Sequence, residues 1–214
     1  MDRCKYLKDE EIERKAHSFI NKHHAGLEMP VPIDLIIEKF FDINIVPFPR
    51  LYKDYRISSF LSLDRKSIWI DETQYDMYEQ KYRFSLAHEL GHLFLHAEIF
   101  EEASDVVAKS SSVIEDYIEW LTSYGYKIVK RMDYQADKFA AHILMPTASL
   151  QVESTKILSN IASDSDLTGI SKEEMAILLV EELADLYNVN KFSVAIRLEN
   201  DFQFNGLCNI IKLP

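Results

Sequence analysis

The sequence predicts an α+β domain with a small sheet and a helical C-terminal part. Short apolar runs at 43–46, 57–63 and 67–70 read as strands, and they fall together early in the chain. Elsewhere the apolar residues recur at helical spacing over long segments. The chain has 214 residues, 47% of them hydrophobic, which is enough for one domain with a sizeable core.

In order, residues 9–23 form the first expected helix. Ile12, Ala16, Phe19 and Ile20 share one face, and Asp9, Glu10 and Glu11 favour its N-terminus. An extended Pro30-Val31-Pro32 leads into a helix over Ile33–Phe41. A strand follows at Ile43–Val46, expected to end at Pro47. Ile57–Leu63 and Ser67–Ile70 read as a hairpin about Asp64-Arg65-Lys66. An edge strand there can pair with an extended peptide, or can be purely structural. A long helix is expected over Met77–Ala97. An acidic insertion spans 98–130, with a break at serines 110–112 and a helix over Val113–Leu121. Ile114, Tyr117, Ile118 and Leu121 share its apolar face, so it lies over or beside a cleft, or is simply solvated. Helices follow at Asp133–Leu144, Leu150–Leu158, Lys172–Tyr187 and Val189–Asn200. The expected division is 1–146 and 147–214, the second part having a helix-turn-helix-like outline.

Bulk composition narrows the function. A net charge of −11 disfavours nucleic acid as the main partner, since that binding neutralises phosphates. Lys191 and Arg197 in the C-terminal helices are offset by Glu199 and Asp201, so packing explains that segment better than DNA reading. The two cysteines, Cys4 and Cys208, form neither a disulfide framework nor a CxxC metal site. The charged N-terminus has no signal-peptide core, and no run of eighteen apolar residues exists. A cytoplasmic protein is expected.

The chemistry is concentrated in Arg83–His96, RFSLAHELGHLFLH, which contains an HExxH. His88 and His92 are four residues apart, about 400° and about 6 Å along a helix, so both imidazoles leave one face. Two such histidines can grip one zinc ion, and Glu89 is placed to act as general base on a water that the ion acidifies. That pattern points to metal-assisted hydrolysis, most often of a peptide bond. A third ligand is needed. His96 lies on the same straight helix, about 12 Å along from His88, too far for bonds of about 2 Å, and reads as a packing histidine. Glu98 is an alternative, ten residues after His88. Asp133 is the stronger candidate. It is expected to open a helix, with Asp137 one turn on, and small Ala136, Ala140 and Ala141 would let that helix approach the HExxH helix closely. Asp137 can then accept the outer N–H of a zinc histidine. His142 falls about 180° from Asp133 and reads as structural. Arg83 is placed to anchor a carboxylate.

The succession VPIDLIIEKF, ISSF with SIWIDE, RFSLAHELGHLFLH, DYQADKFAAHILMP and LADLYNVNKFSVAIRL resembles the ImmA/IrrE family of bacterial zinc metallopeptidases. The resemblance runs from about residue 15 to 200, and the pairing of AHELGH with A-x-x-FAA-x-x-LMP is its most specific part. It implies a gluzincin-like fold with a short twisted sheet, and one Zn2+ held by His88, His92 and Asp133 with Glu89 as base. It also implies a cytoplasmic protease that cuts a helix-turn-helix repressor once, in phage, mobile-element or stress-response regulation. Asp133 stands where the family usually has glutamate, so its helix must sit closer or the metal is held more loosely. A second oxyanion donor is expected from a Tyr, His or Arg across the cleft. The rival functions are a non-catalytic zinc-binding or toxin-like module that binds a regulator, and a DNA-binding regulator using residues 183–199.

Overall fold

The computed structural model describes residues 4–26, 28–104, 112–164, 169–202 and 206–211. Three strands, β1 (Asn44–Phe48), β2 (Ser59–Leu61) and β3 (Ser67–Asp71), form one mixed sheet in the order β1-β3-β2. β1 runs parallel to β3 and β2 antiparallel to it, with Phe60 opposite Trp69. Pro47 lies inside β1 and does not end it. β1 is an edge strand, where a missing backbone N–H is tolerated. β2 is the other edge.

Helices α1 (Asp9–His23) and α2 (Ile33–Phe41) coincide with the ranges expected from periodicity. α1 buries Ile12, Ala16, Phe19 and Ile20, the predicted face. A short α3 (Leu51–Tyr55) follows β1. The helix expected over Met77–Ala97 is present, shorter by two residues at each end, and a separate short helix precedes it. Asp71 caps α4 (Glu72–Met77) by accepting from the N–H groups of Thr73 and Gln74. After Tyr78, α5 (Glu79–Leu95) carries the HExxH. His96 closes α5, and α6 (Ala97–Ser104) begins at once. Serines 110 and 111 lie outside the described residues. Ser112 caps α7 (Val113–Thr122) through the N–H of Glu115.

The second motif helix, α8 (Tyr126–Leu144), starts seven residues before Asp133, so Asp133 lies inside it and does not open it. The reason is local: Gly125 caps α8 without a side chain, and Met132 belongs to its buried face. α9 (Thr147–Ser163), α10 (Lys172–Tyr187) and α11 (Lys191–Phe202) follow, with a short α12 (Leu207–Ile210).

Helix α5 is central. Its most extensive partner is α8, which also packs on α1, and it touches β2 as well. Leu86, Ala87 and Leu90 of α5 and Phe139, Ala140 and Ile143 of α8 are fully buried in a core that extends from α1 to α12. Gly91 sets the α5–α8 spacing. A Cβ there would lie 2.8 Å from the Ala136 Cα and 3.0 Å from its carbonyl oxygen. Glycine inside a helix costs about 1 kcal/mol relative to alanine, and here it permits backbone contact between the two motif helices.

Arg83 ties α5 to the rest of the fold, though not through a carboxylate. Its guanidinium donates to the carbonyls of Val31 at 2.9 Å, Asn188 at 3.2 Å and Tyr187 at 3.5 Å. Arg197 is likewise buried, donating to the Met145 carbonyl and pairing with Asp201. Lys191 pairs with Glu181 on α10. No helix among the described residues is long and apolar enough to cross a membrane.

Candidate active site

His88 and His92 project from one face of α5, and Asp133 meets them from α8. One donor atom from each of the three lies within 4.8 Å of the others. The His88 and His92 Nε2 atoms are 3.0 Å apart, and the Asp133 Oδ1 is 3.7 Å from the His92 Nε2. Donors on a tetrahedral zinc are separated by about 3.3 Å, so this set needs little movement to close on an ion. The Gly91–Ala136 contact provides the close helix approach that a short aspartate at 133 requires.

The hydrogen bonds on the far side of each ring determine which nitrogen faces inward. The His88 Nδ1 is 2.7 Å from the Asp137 carboxylate and donates to it. Gln135 donates its amide to the Lys5 carbonyl, which turns its Oε1 toward the His96 Nε2 at 2.9 Å. Nε2 of His96 therefore carries the proton, and its Nδ1 accepts from the His92 Nδ1 at 3.2 Å. Both inward Nε2 atoms are then bare lone pairs facing each other, an arrangement that only a proton or a cation between them relieves. The donor set thus fits a divalent metal, with outer-shell partners already in place.

Electrostatics agree with this arrangement. Burial takes the His92 pKa well below its ordinary value, helped by His88 and His96. Burial, partly offset by the Gln135 hydrogen bond, lowers His96 to about 4. Both rings are neutral near pH 7, the state in which an imidazole can hold a metal. For His88, burial acts downward. The Asp137 hydrogen bond and the charges of Glu89, Asp137 and Asp133 together outweigh it and raise the pKa. Asp133 is raised too, by burial and by Asp137, against the pull of His88.

Glu89 is 3% exposed and points toward the sheet edge. Its Oε1 accepts from the Ser59 hydroxyl at 2.6 Å and its Oε2 from the Leu61 N–H at 2.9 Å. That N–H is one of the outward groups of edge strand β2, so part of the edge serves Glu89. Burial raises the Glu89 pKa above the ordinary carboxylate range, and the charge of His88 and these two hydrogen bonds oppose it. A carboxylate raised in this way suits proton transfer near neutrality.

The remaining predicted residues fall where expected or are corrected. His96 is buried beneath the site as a relay. Glu98 is exposed on α6 and is not among the grouped donors. His142 is buried, facing Thr147, with its pKa lowered to about 3 by burial and by Arg197 and Lys138. Sequence reasoning missed Ser59, Gln135 and Gly91. A serine on a strand, a glutamine on a helix and a glycine in a motif carry no signal until the two helices and the strand are brought together.

Two grooves adjoin the HExxH helix one turn before His88. One, of about 720 Å3, is lined by Ser58, Tyr78 and Ser85, with Arg50, Lys53 and Lys81. The other, of about 760 Å3, reaches Asp137 and Tyr134. Phe84 and Ser193 line both.

The chain matches the model of the Peptidase_M78 family, the IrrE N-terminal-like domain, over residues 39–199. The chain belongs to this peptidase family. The match runs from before β1 into α11 and takes in His88, Glu89, His92 and Asp133. A solved structure described as a Mycobacterium tuberculosis transcriptional regulator is similar over 91% of this chain, with a TM-score of 0.54 and 12% identity. At that identity the likeness is one of fold, and the chain covers 47% of that protein. No curated protein matches the chain.

Proposed function

We propose that this Peptidase_M78 member is a zinc-dependent endopeptidase in which His88, His92 and Asp133 hold the metal and Glu89 is the general base. The observation that carries the reading is the convergence of three donor atoms within 4.8 Å, with both histidine Nε2 atoms directed inward by partners on their outer nitrogens. Zinc bound there would supply a Lewis acid for water and for the developing negative charge. Glu89 removes the proton of the attacking water and returns it to the leaving amine. Ser59 and the Leu61 N–H orient its carboxylate, and Asp137 and His96 hold the two imidazoles.

The substrate class follows from the sequence resemblance: a helix-turn-helix repressor, cut once, in a cytoplasmic regulatory circuit. The similar solved structure is described as a transcriptional regulator, which suits that setting.

Metal per chain, measured after purification without chelators, tests the site. The expected result is about one zinc in the wild type and much less in Asp133→Ala. Full zinc in both would remove Asp133 from the ligand set. Glu89→Gln tests the chemistry: it should keep its zinc and lose cleavage. If instead it keeps full biological function, the protein acts as a zinc-holding module that binds a regulator.

A further inference from the structure

We infer that the groove of Arg50, Lys53 and Lys81 is a specificity subsite that takes an acidic segment of the polypeptide being cut. This rests on the peptidase reading above.

The groove, of about 720 Å3, lies against the HExxH helix on the N-terminal side of His88. Three of its lining residues adjoin the site. Ser58 precedes Ser59, which holds Glu89, and the Ser58 carbonyl accepts from the Asp71 N–H at 2.9 Å, which pins it to β3. Phe84 and Ser85 stand one turn before His88 and Glu89 on α5. The Gln74 amide donates to the Ser85 hydroxyl at 2.6 Å and fixes that part of the lining. A polypeptide that crosses His88 and Glu89 therefore has this groove beside it.

The charge of the groove is the reverse of the molecule's. The chain carries −11 overall, yet the described lining residues include three cations and one carboxylate, Asp71. Asp71 is buried and accepts from the N–H groups of Tyr52, Thr73 and Gln74, so it is committed to the fold. Arg50 pairs with Asp54 at 2.9 Å, but both side chains are well exposed. Such a pair is weak and leaves the guanidinium open to a second carboxylate. Lys53 is exposed, and Lys81 lies over the Tyr78 ring at 5.0 Å. Neither lysine is paired with a carboxylate among the described residues. Exposed Tyr52 and Tyr78 add flat amphipathic surface beside these cations, as recognition sites commonly do.

The second groove has the opposite sign. Asp9, Glu10, Glu13, Asp137 and Asp201 line it against Lys138 and Arg197. Phe84 and Ser193 belong to both grooves, so the sign changes across them. An acidic segment is drawn to one side and repelled from the other, which selects the way the polypeptide lies as well as its composition. A nucleic acid would meet the same acidic groove and the same overall charge, so a carboxylate-bearing peptide is the better occupant.

Cleavage of a random-sequence peptide library by the wild type, followed by mass spectrometry, should show Asp and Glu enriched on one side of the cut. In Lys53→Glu/Lys81→Glu that enrichment should disappear. On the acidic peptide that the wild type cuts best, the double variant should have a KM about tenfold higher with kcat little changed, because exposed charge pairs are individually weak. Both lysines are exposed, so zinc per chain and melting temperature should match the wild type. Changing the peptide's acidic residues to lysine should reverse the order of the two enzymes. Sodium chloride at about 1 M, where the Debye length is about 3 Å, should shrink the difference. No acidic enrichment in the wild type, or a wild-type KM in the double variant, would overturn the subsite and leave the peptidase reading standing. A single-stranded oligodeoxynucleotide that inhibits the wild type and not the double variant would overturn it in favour of nucleic acid. A zinc-loaded wild type that cuts no member of the library would overturn both.

Discussion

At the scale of single residues, the site is governed by groups that would never touch a substrate. Asp137 is exposed on one side, yet it determines which nitrogen of His88 faces the ligand position, because a carboxylate at 2.7 Å demands the Nδ1 proton. The same logic runs through Gln135 and His96 to His92. Outer partners of this kind typically contribute 10- to 100-fold to metal affinity. Asp137→Asn should therefore weaken zinc binding by about that factor, since the amide still accepts but carries no charge. Its side chain is 55% exposed, so the metal-free protein should melt close to the wild type. Competition with a chelator of known affinity measures the first quantity and thermal melting the second. Unchanged zinc affinity would show that the His88 ring is oriented by its packing alone.

Helix pairing is the scale at which the chain's unusual aspartate makes sense. Asp133 is one methylene shorter than the residue expected by resemblance, and α8 must come correspondingly close to α5. Gly91 allows this, since nothing larger fits against Ala136. Gly91→Ala should gain helix propensity of about 1 kcal/mol and lose more than that to overpacking, typically 1–3 kcal/mol, because the obstruction is backbone. It should also separate Asp133 from the histidines and lower zinc content. Urea denaturation and metal analysis on the same preparation test both effects. A stable variant with full zinc would mean that α8 can shift without cost to the site. The same pair of helices shows what the sequence made legible. HExxH spacing placed His88, Glu89 and His92 on one helix, and i, i+4 spacing placed Asp133 with Asp137 on another. The start of α8 is not legible at Asp133, because an aspartate resembles a cap, whereas the cap is Gly125, eight residues earlier. The clamp on Glu89 was not legible at all. It joins residues 28 and 30 apart in sequence, and only the folded edge of β2 brings them together.

For the whole molecule, the question is how far the fold depends on the metal. The proposed ligands come from α5 and α8, and a small domain built that way would unfold when stripped. This chain differs because the α5–α8 contact is also the centre of an extensive apolar core. Leu86, Leu90, Phe139, Ile143 and Leu144 are fully buried without help from an ion. The metal should therefore add to an already folded state. Free zinc at about 1,000 times its dissociation constant stabilises a protein by about 4 kcal/mol, if it does not bind the unfolded chain. For a chain of this size each kcal/mol moves the melting temperature by about 2–4 °C, so chelation should lower it by roughly 8–16 °C. Circular dichroism at 25 °C should show the same helix content before and after chelation, and zinc added back should restore the higher melting temperature. Asp133→Ala should melt like the stripped wild type and respond little to added zinc. Loss of helix at 25 °C on chelation would show instead that the ion is a structural requirement of the fold. A melting temperature indifferent to zinc would remove the ion from α5 and α8 altogether.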